Sequence, residues 1–310
     1  MPVPEKKADN KSFPAKPFLK WAGSKRQLLK HFTGIYPPEL KAGAIKNYYE
    51  PFLGSGAVFF DIAQRYKIEN ACLCDVNEEL VLTYKIVQAH VSKLTTVLLK
   101  HQEKYLALNK ARRLAYFYDQ RAVFNEQRFD KGINKNTDKG IARAAQLIFL
   151  NRTCFNGLFR VNSKGGFNTP AGDYVNPSIC DEENLMAVSR LLAGATIRKA
   201  DFTQVLRDVK PASFVYLDPP YRPLSITASF TAYSKSAFTD KQQVQLAGVC
   251  RDLDKKGAAV MLSNSDTRDG FFDKLYHGFH ILRVPARRQI NADASKRGTV
   301  NELVITNYPV

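Results

Sequence analysis

The sequence holds no CxxC pair, no HExxH and no uninterrupted apolar run of the ~18 residues that a membrane span requires. Its five cysteines, Cys72, Cys74, Cys154, Cys180 and Cys250, show no even-numbered framework. That argues against zinc and secretion and for reduced cytosolic thiols. The five histidines, His31, His90, His101, His277 and His280, stand at no metal-ligand spacing, so no metal is expected. The opening MPVPEKKADNKSFPAKP lacks the apolar core of a signal peptide. Residues 1–16 read as a flexible basic tail, and a cytoplasmic monomer that meets no membrane is expected. Acids are scarce beside bases: 29 against 46, for a formal net charge of +17. Such a surplus points to a polyanionic partner, because neutralised phosphates release their counterions. There is no internal repeat, and no low-complexity tract beyond the tail.

Apolar residues are plentiful, 45% of the chain, which suffices for a packed core. The segment from Asn47 to Ala63 has a strand-like start, a glycine turn at Gly54-Ser55-Gly56 and an amphipathic helical pattern. About twenty residues beyond the glycines, Ala71 to Asn77 reads as a second strand ending in Asp75, with Asn77 as N-cap of another helix. From Glu78 to about Leu150 the pattern turns to long helices. Two extended runs then flank Ser163-Lys164-Gly165-Gly166, as in a hairpin. Strand-helix alternation resumes with a helix near Glu183 to Leu192 and strands at Ala195–Arg198, Phe214–Leu217 and Ala258–Leu262. The expectation is one α/β domain, residues 17–77 and 181–310, interrupted by a helical domain, residues 78–180, with its hairpin near 158–174.

Two motifs carry chemistry. Glycines where a strand turns into a helix let backbone approach a ligand, and an acid ending the next strand can hold a ribose. The third glycine of a dinucleotide motif is absent, Ala57, Val58 and Phe59 following Gly56. The ligand expected is therefore a nucleoside without pyrophosphate, a description that S-adenosylmethionine fits. The second motif, Asp218-Pro219-Pro220-Tyr221, ends an apolar strand. An exocyclic amine on a base is a poor nucleophile, since its lone pair is delocalised into the ring. The Asp218 carboxylate and the Pro219 carbonyl can accept from both N–H groups and favour the pyramidal transition state. Tyr221 offers a face for an unstacked base, and the two prolines, Pro220 included, stiffen the loop. Any planar amine remains open at this point.

The ordered set LKWAGSK (Leu19 to Lys25), EPFLGSG (Glu50 to Gly56), CDVN (Cys74 to Asn77), LNRTCFNGLFR (Leu150 to Arg160) and DPPYRPLSITASFTAYSKSAFT (Asp218 to Thr239) resembles the Dam family of DNA adenine N6-methyltransferases. The likeness covers nearly everything after Lys16. It implies a Rossmann-like S-adenosylmethionine-dependent methyltransferase domain with an inserted helical target-recognition domain carrying a β-hairpin. It further implies S-adenosylmethionine as donor and N6 of a flipped adenine in double-stranded DNA, within GATC, as acceptor. Position by position, Trp21, Ala22, Gly23, Lys25, Phe52, Gly54 and Gly56 are implied to line the cofactor, Asp75 to hold its ribose, and Asp201 and Phe202 to meet its adenine. Asp218, Pro219, Pro220 and Tyr221 keep the catalytic roles above. For DNA, the resemblance implies that Lys20 reads the first guanine and Arg160 another guanine, where two donors would meet O6 and N7. It adds Asn156, Leu158, Pro170 and Tyr174 as contacts, and Phe155 as a ring inserted beside the vacated base.

Three departures stand out. Ser24 replaces a usual glycine, Cys154-Phe155 replaces a Gly-Tyr pair, and Asp173 stands where a phosphate-binding base is usual. The basic segment Val284 to Thr299 is expected to track phosphate rather than read bases. Two other functions fit parts of the pattern: methylation of RNA or of a glutamine side chain, and a non-catalytic DNA-binding regulator on the same fold.

Overall fold

The computed structural model describes residues 14–222, 238–287 and 299–310. The first thirteen residues of the basic tail, positions 223–237 of the stretch after DPPY, and positions 288–298 of the distal basic segment lie outside the described residues.

A seven-stranded sheet organises the chain, in the order β3-β2-β1-β4-β5-β7-β6. Its strands are β1 (Asn47–Glu50), β2 (Asn70–Asp75), β3 (Ala195–Lys199), β4 (Ser213–Leu217), β5 (Ala259–Ser265), β6 (His280–Arg287) and β7 (Thr299–Thr306). The first five are mutually parallel, and β7 runs antiparallel between β5 and β6. Central β4, SFVYL, is buried at every position, as expected of a strand covered on both faces. Side chains alternate accordingly. Tyr48, Leu73, Phe214 and Tyr216 enter one core, whereas Tyr49, Cys74, Val215 and Leu217 enter the other.

The helices follow the sequence pattern closely. A 3-10 turn, Lys25–Gln27, precedes α1 (Leu29–Ile35) and α2 (Pro38–Lys41); α3 (Ala57–Arg65) follows the glycine turn. The long α4 (Glu78–Ala107) starts at Asn77, whose side chain caps the Leu80 N–H, and bends at His90, a residue with non-helical angles. Beyond it come α5 (Lys110–Glu126), α6 (Asp138–Thr153), α7 (Glu182–Leu192), α8 (Phe202–Arg207), α9 (Asp240–Lys255) and α10 (Phe271–Leu275). Before its bend α4 lies against the sheet: Gln88 donates to the carbonyls of Leu192 and Ala195. It also packs along α6. The buried Arg143 of α6 pairs with Glu79 and donates to the Phe124 carbonyl, tying α4, α5 and α6 together. One continuous core runs from the sheet into these helices, through Tyr84, Leu94, Leu98 and Phe149.

Near the start of α6, Gly140 packs against the preceding loop. A Cβ there would lie 1.9 Å from the Asn134 carbonyl oxygen. Helix propensity favours alanine over glycine by ~1 kcal/mol, but this contact is with backbone and cannot rotate away. Gly140→Ala is expected to destabilise the protein by about 2 kcal/mol, read as a lower urea midpoint at unchanged slope.

The segment expected to form a hairpin is a loop closed by two single antiparallel bridges, Cys154 with Ala171 and Val161 with Phe167. Backbone bonds cross it from the Asn162 N–H to the Gly166 carbonyl and from the Asn168 N–H to the Arg160 carbonyl, and side chains add to them. Asn162 accepts from the N–H groups of Lys164 and Gly166, Asn125 accepts from the Phe167 N–H, and Thr169 donates to the Leu158 carbonyl. Asparagine and threonine side chains offer the backbone local partners and so compete with strand pairing.

Candidate active site

The sheet order reverses between β1 and β4, whose parallel pairing sets their carboxyl ends side by side. Ligands of open α/β sheets bind at such a switch point. The Gly54–Gly56 turn leaves β1 there, and Asp218–Tyr221 leaves β4. Between them lies a cavity of about 750 Å³, of ligand-binding size. Trp21, Ala22, Gly23, Lys25, Phe52, Gly54, Asp75, Asp201, Phe202, Asp218, Pro219, Pro220 and Tyr221 all border it. Gly56 is not on its wall, but it shapes the turn.

Both turn glycines need the left-handed region, with φ of +47° at Gly54 and +67° at Gly56. At Gly56 a Cβ would come within 2.7 Å of the Tyr84 hydroxyl, and at Gly54 within 3.2 Å of the Trp21 ring. Asp75 is bonded into this turn: one oxygen accepts from the Gly54 N–H at 3.1 Å, the other from the Asn77 N–H at 2.9 Å. Burial raises its pKa against these bonds. Asp201 caps α8 through the Thr203 N–H, and Phe202 stacks on Phe52 with centroids 5.6 Å apart. The rings form an apolar wall, opposite in character to the carboxylates.

Among the described residues, Asp218 pairs with one cation. Lys25 Nζ lies 2.8 Å from its carboxylate, donates to the Gly23 carbonyl at 2.6 Å, and sits over the Tyr221 ring at 4.6 Å. Only 3% of the Lys25 side chain is exposed. Burial pushes the Asp218 carboxyl up to about 6, while Lys25 pulls it down. The 3-10 turn thus delivers Lys25 to the reacting loop, although it also borders the cavity. The loop is clamped from behind. The Pro220 carbonyl accepts from Gln243, and Arg222 pairs with Asp240 and Asp269 and lies over Phe271.

Glu50, Glu302 and Phe238 are among the residues at the site that the sequence reading did not name. Glu50, at the end of β1, borders the cavity and is wholly buried; burial lifts its carboxyl to about 8, and the Tyr48 hydroxyl donates to it at 2.8 Å. An acid closing a buried four-residue strand was the available signal. Glu302, the one charged residue of β7, accepts from the Tyr221 hydroxyl at 2.6 Å. Phe238 meets the edges of Phe52 and Phe202, and nothing in its local sequence marked it.

The residues expected to meet DNA gather on one side of the cavity. Lys20 Nζ lies over the Tyr174 ring at 4.2 Å, and its stem packs on Gly157. Trp21 stacks on Phe159 at 5.5 Å, joining this group to the cavity wall. Phe155 is 53% exposed, the Phe155 N–H donates to the Pro170 carbonyl, and Asn156 is exposed with left-handed backbone. Leu158 is half-buried. Arg160 donates through Nε and Nη2 to Asn168, which fixes its guanidinium plane. Of the departures, Ser24 shares a hydrogen bond with Ser55, Cys154 is buried, and Asp173 pairs with Lys110 at 2.8 Å. Among the described residues no group of three or more histidine, cysteine or acidic side chains could hold a metal, and no helix is long and apolar enough to cross a membrane.

Comparison with known proteins reaches the same chemistry. The profile described as D12 class N6 adenine-specific DNA methyltransferase matches residues 21–290. The chain is 48% identical to the type II methyltransferase M.MjaIII of Methanocaldococcus jannaschii, over 94% of this chain and 99% of that protein. It is 36% identical to the type II methyltransferase M1.LlaDCHI of Lactococcus lactis subsp. cremoris, over 94% and 95%. It is 32% identical to the DNA adenine methylase of Escherichia coli K12, again over 94% and 95%. The chain belongs to the D12 class of N6 adenine-specific DNA methyltransferases.

Proposed function

We propose that this enzyme transfers a methyl group directly from S-adenosylmethionine to N6 of a flipped adenine in duplex DNA, within GATC. The observation that carries the reading is the single cavity shared by the left-handed glycine turn, Asp75, the Phe52–Phe202 wall and the Asp218–Tyr221 loop. A nucleoside suits those walls: an aromatic pair for its base, Asp201 at the base edge, and Asp75 for the ribose. Trp21, Ala22 and Gly23 close the other side. The cofactor supplies an electrophilic methyl on a sulfonium. Asp218 and the Pro219 carbonyl accept from the adenine amine, so that its lone pair turns out of the ring as the bond forms. Tyr221, held by Glu302, stacks on the extruded base. No enzyme–base bond is needed, and no cysteine serves as nucleophile.

In this reading residues 17–77 and 181–310 carry the cofactor and the chemistry, and residues 78–180 read DNA, the first half of α4 also serving the sheet. Lys20 and Arg160 read guanines, Phe155 fills the space the adenine leaves, and Asn156, Leu158, Pro170 and Tyr174 complete the surface. The protein acts in the cytosol, where the +17 charge favours DNA. Single-molecule sequencing of DNA from cells expressing the protein tests the proposal. N6-methyladenine confined to GATC is expected; methylation at another site overturns the specificity, and no methylated adenine overturns the reading.

Arg160→Ala is expected to relax discrimination at one base pair by about 1–3 kcal/mol, measured as the ratio of kcat/KM on duplexes altered at each position. Unchanged ratios at all positions remove Arg160 from the reading set.

A further inference from the structure

Burial pushes three of the five thiols up, Cys154 to about 12, Cys180 to about 11 and Cys250 to about 12. Cys72 and Cys74 form a different arrangement. Flanking Leu73 on β2, they point to the same face of the sheet, with their sulfurs 3.7 Å apart. Arg198 of β3 stands in register with Cys74 and acts on both sulfurs. The Cys74 hydrogen bond and the Arg198 charge hold Cys72 down to about 7 while burial opposes them, and Cys74 is driven up. Asp208, 3.6 Å from the Arg198 guanidinium, and Tyr49 are the other ionisable groups facing the pair. Cys72 is half-buried and Cys74 fully buried. A partly exposed thiol in a positive environment, beside a second thiol, is the arrangement of redox-sensing cysteines.

We propose that Cys72 and Cys74 are a reversible oxidation site for hydroperoxides, and that closing it switches the enzyme off. The Cys72 thiolate attacks one peroxide oxygen and the O–O bond breaks. The departing alkoxide or hydroxide takes up a proton, and Cys72 becomes a sulfenic acid. Cys74 then loses its proton, and its sulfur displaces hydroxide from Cys72, which leaves as water. Two thiols have given up two electrons, and one hydroperoxide has been reduced to an alcohol, or water, plus water.

The strand transmits the change. Residues i and i+2 of an extended strand have Cα atoms ~6.7 Å apart, at the upper end of what a disulfide spans. Closing the bond therefore draws β2 in. Asp75 is the next residue, and its carboxylate holds the Gly54 N–H; the Cys74 carbonyl itself accepts from the Leu53 N–H at 2.8 Å. Both contacts anchor the glycine turn. The loss of activity rests on the cofactor reading above, but the oxidation does not.

Full-length protein treated with hydrogen peroxide is analysed by non-reducing peptide mass mapping, alongside calorimetric titration with S-adenosylmethionine. The expected result is a Cys72–Cys74 disulfide formed before Cys154, Cys180 or Cys250 reacts, with cofactor affinity weakened about tenfold and restored by dithiothreitol. In Cys74→Ala, dimedone captures Cys72 as sulfenic acid; Cys72→Ser keeps its affinity at the same dose. A pair left reduced while other thiols oxidise overturns the site, and a disulfide with unchanged affinity overturns the switch. Failure of the reduced protein to bind S-adenosylmethionine falls instead on the cofactor reading, because the mass map stands without it.

Discussion

Asp218→Ala is expected to lower kcat for methyl transfer on the order of 1000-fold, the scale expected when one preorganised partner of a transition state is removed. Duplex DNA binding is expected to be largely kept, because the proposed DNA contacts, Lys20, Phe155 and Arg160, are not on the cavity lining that holds this carboxylate. The substitution also leaves the Lys25 ammonium, 3% exposed, with the Gly23 carbonyl as its remaining hydrogen-bond acceptor. Breaking a buried ion pair from one side costs about 3 kcal/mol, so the single variant is expected to melt early as well as to turn over slowly. The double variant Asp218→Ala/Lys25→Met separates the two effects. It recovers thermal stability, since no unpaired charge remains, and stays inactive, since no acceptor has been restored. Single-turnover methylation of a duplex oligonucleotide measures the first effect and thermal denaturation the second. Undiminished turnover in either variant would remove Asp218 from the chemistry.

The local pieces of this site were legible in the sequence, and their convergence was not. The run Phe214 to Leu217 followed by Asp-Pro-Pro marked a buried strand and its end, because proline cannot supply the N–H a ladder needs, and β4 stops at Leu217. Asn77 was legible as an N-cap for the same local reason. Which loops meet is a matter of strand order, and the pairing of β1 with β4 joins segments far apart in the chain. Lys25 belonged visibly to the WAGSK motif, yet only tertiary packing turns its ammonium onto Asp218 instead of leaving it on the outer cavity wall. Glu302 was invisible because an acid on a strand usually faces water, and β7 carries it over the reacting loop. The loop after α6 read as a hairpin from its glycines; its antiparallel pairing is confined to two bridges, and side-chain hydrogen bonds from Asn125, Asn162 and Thr169 reinforce the backbone bonds that cross it. Phe155 was named from the resemblance alone, and it is 53% exposed.

Lys25→Met is expected to move the acidic limb of the kcat–pH profile upward by about 1–2 units, the usual effect of removing one close opposite charge. Burial raises the Asp218 carboxyl from its ordinary 3.8 to about 6, Lys25 acts downward through its charge and its hydrogen bond, and Glu302 acts upward. In the proposed mechanism the ionised carboxylate is the acceptor, so in the unaltered enzyme activity is expected to fall as pH drops through about 6. Without Lys25 the same fall begins above neutrality, and turnover at pH 7 drops to between about a half and a tenth of its plateau but returns in alkaline buffer. Stability follows the opposite sign. Because the folded protein binds this proton more tightly than the unfolded chain, the stabilisation it gives is fully present below about 3.8 and is lost as pH rises through about 6. In Lys25→Met that window extends upward with the carboxyl. Methionine preserves most of the lysine's volume, so the cavity wall keeps its shape while its charge is gone. A profile whose limb stays in place, scaled down equally at every pH, would show that Lys25 supports the loop sterically and does not set the charge of Asp218.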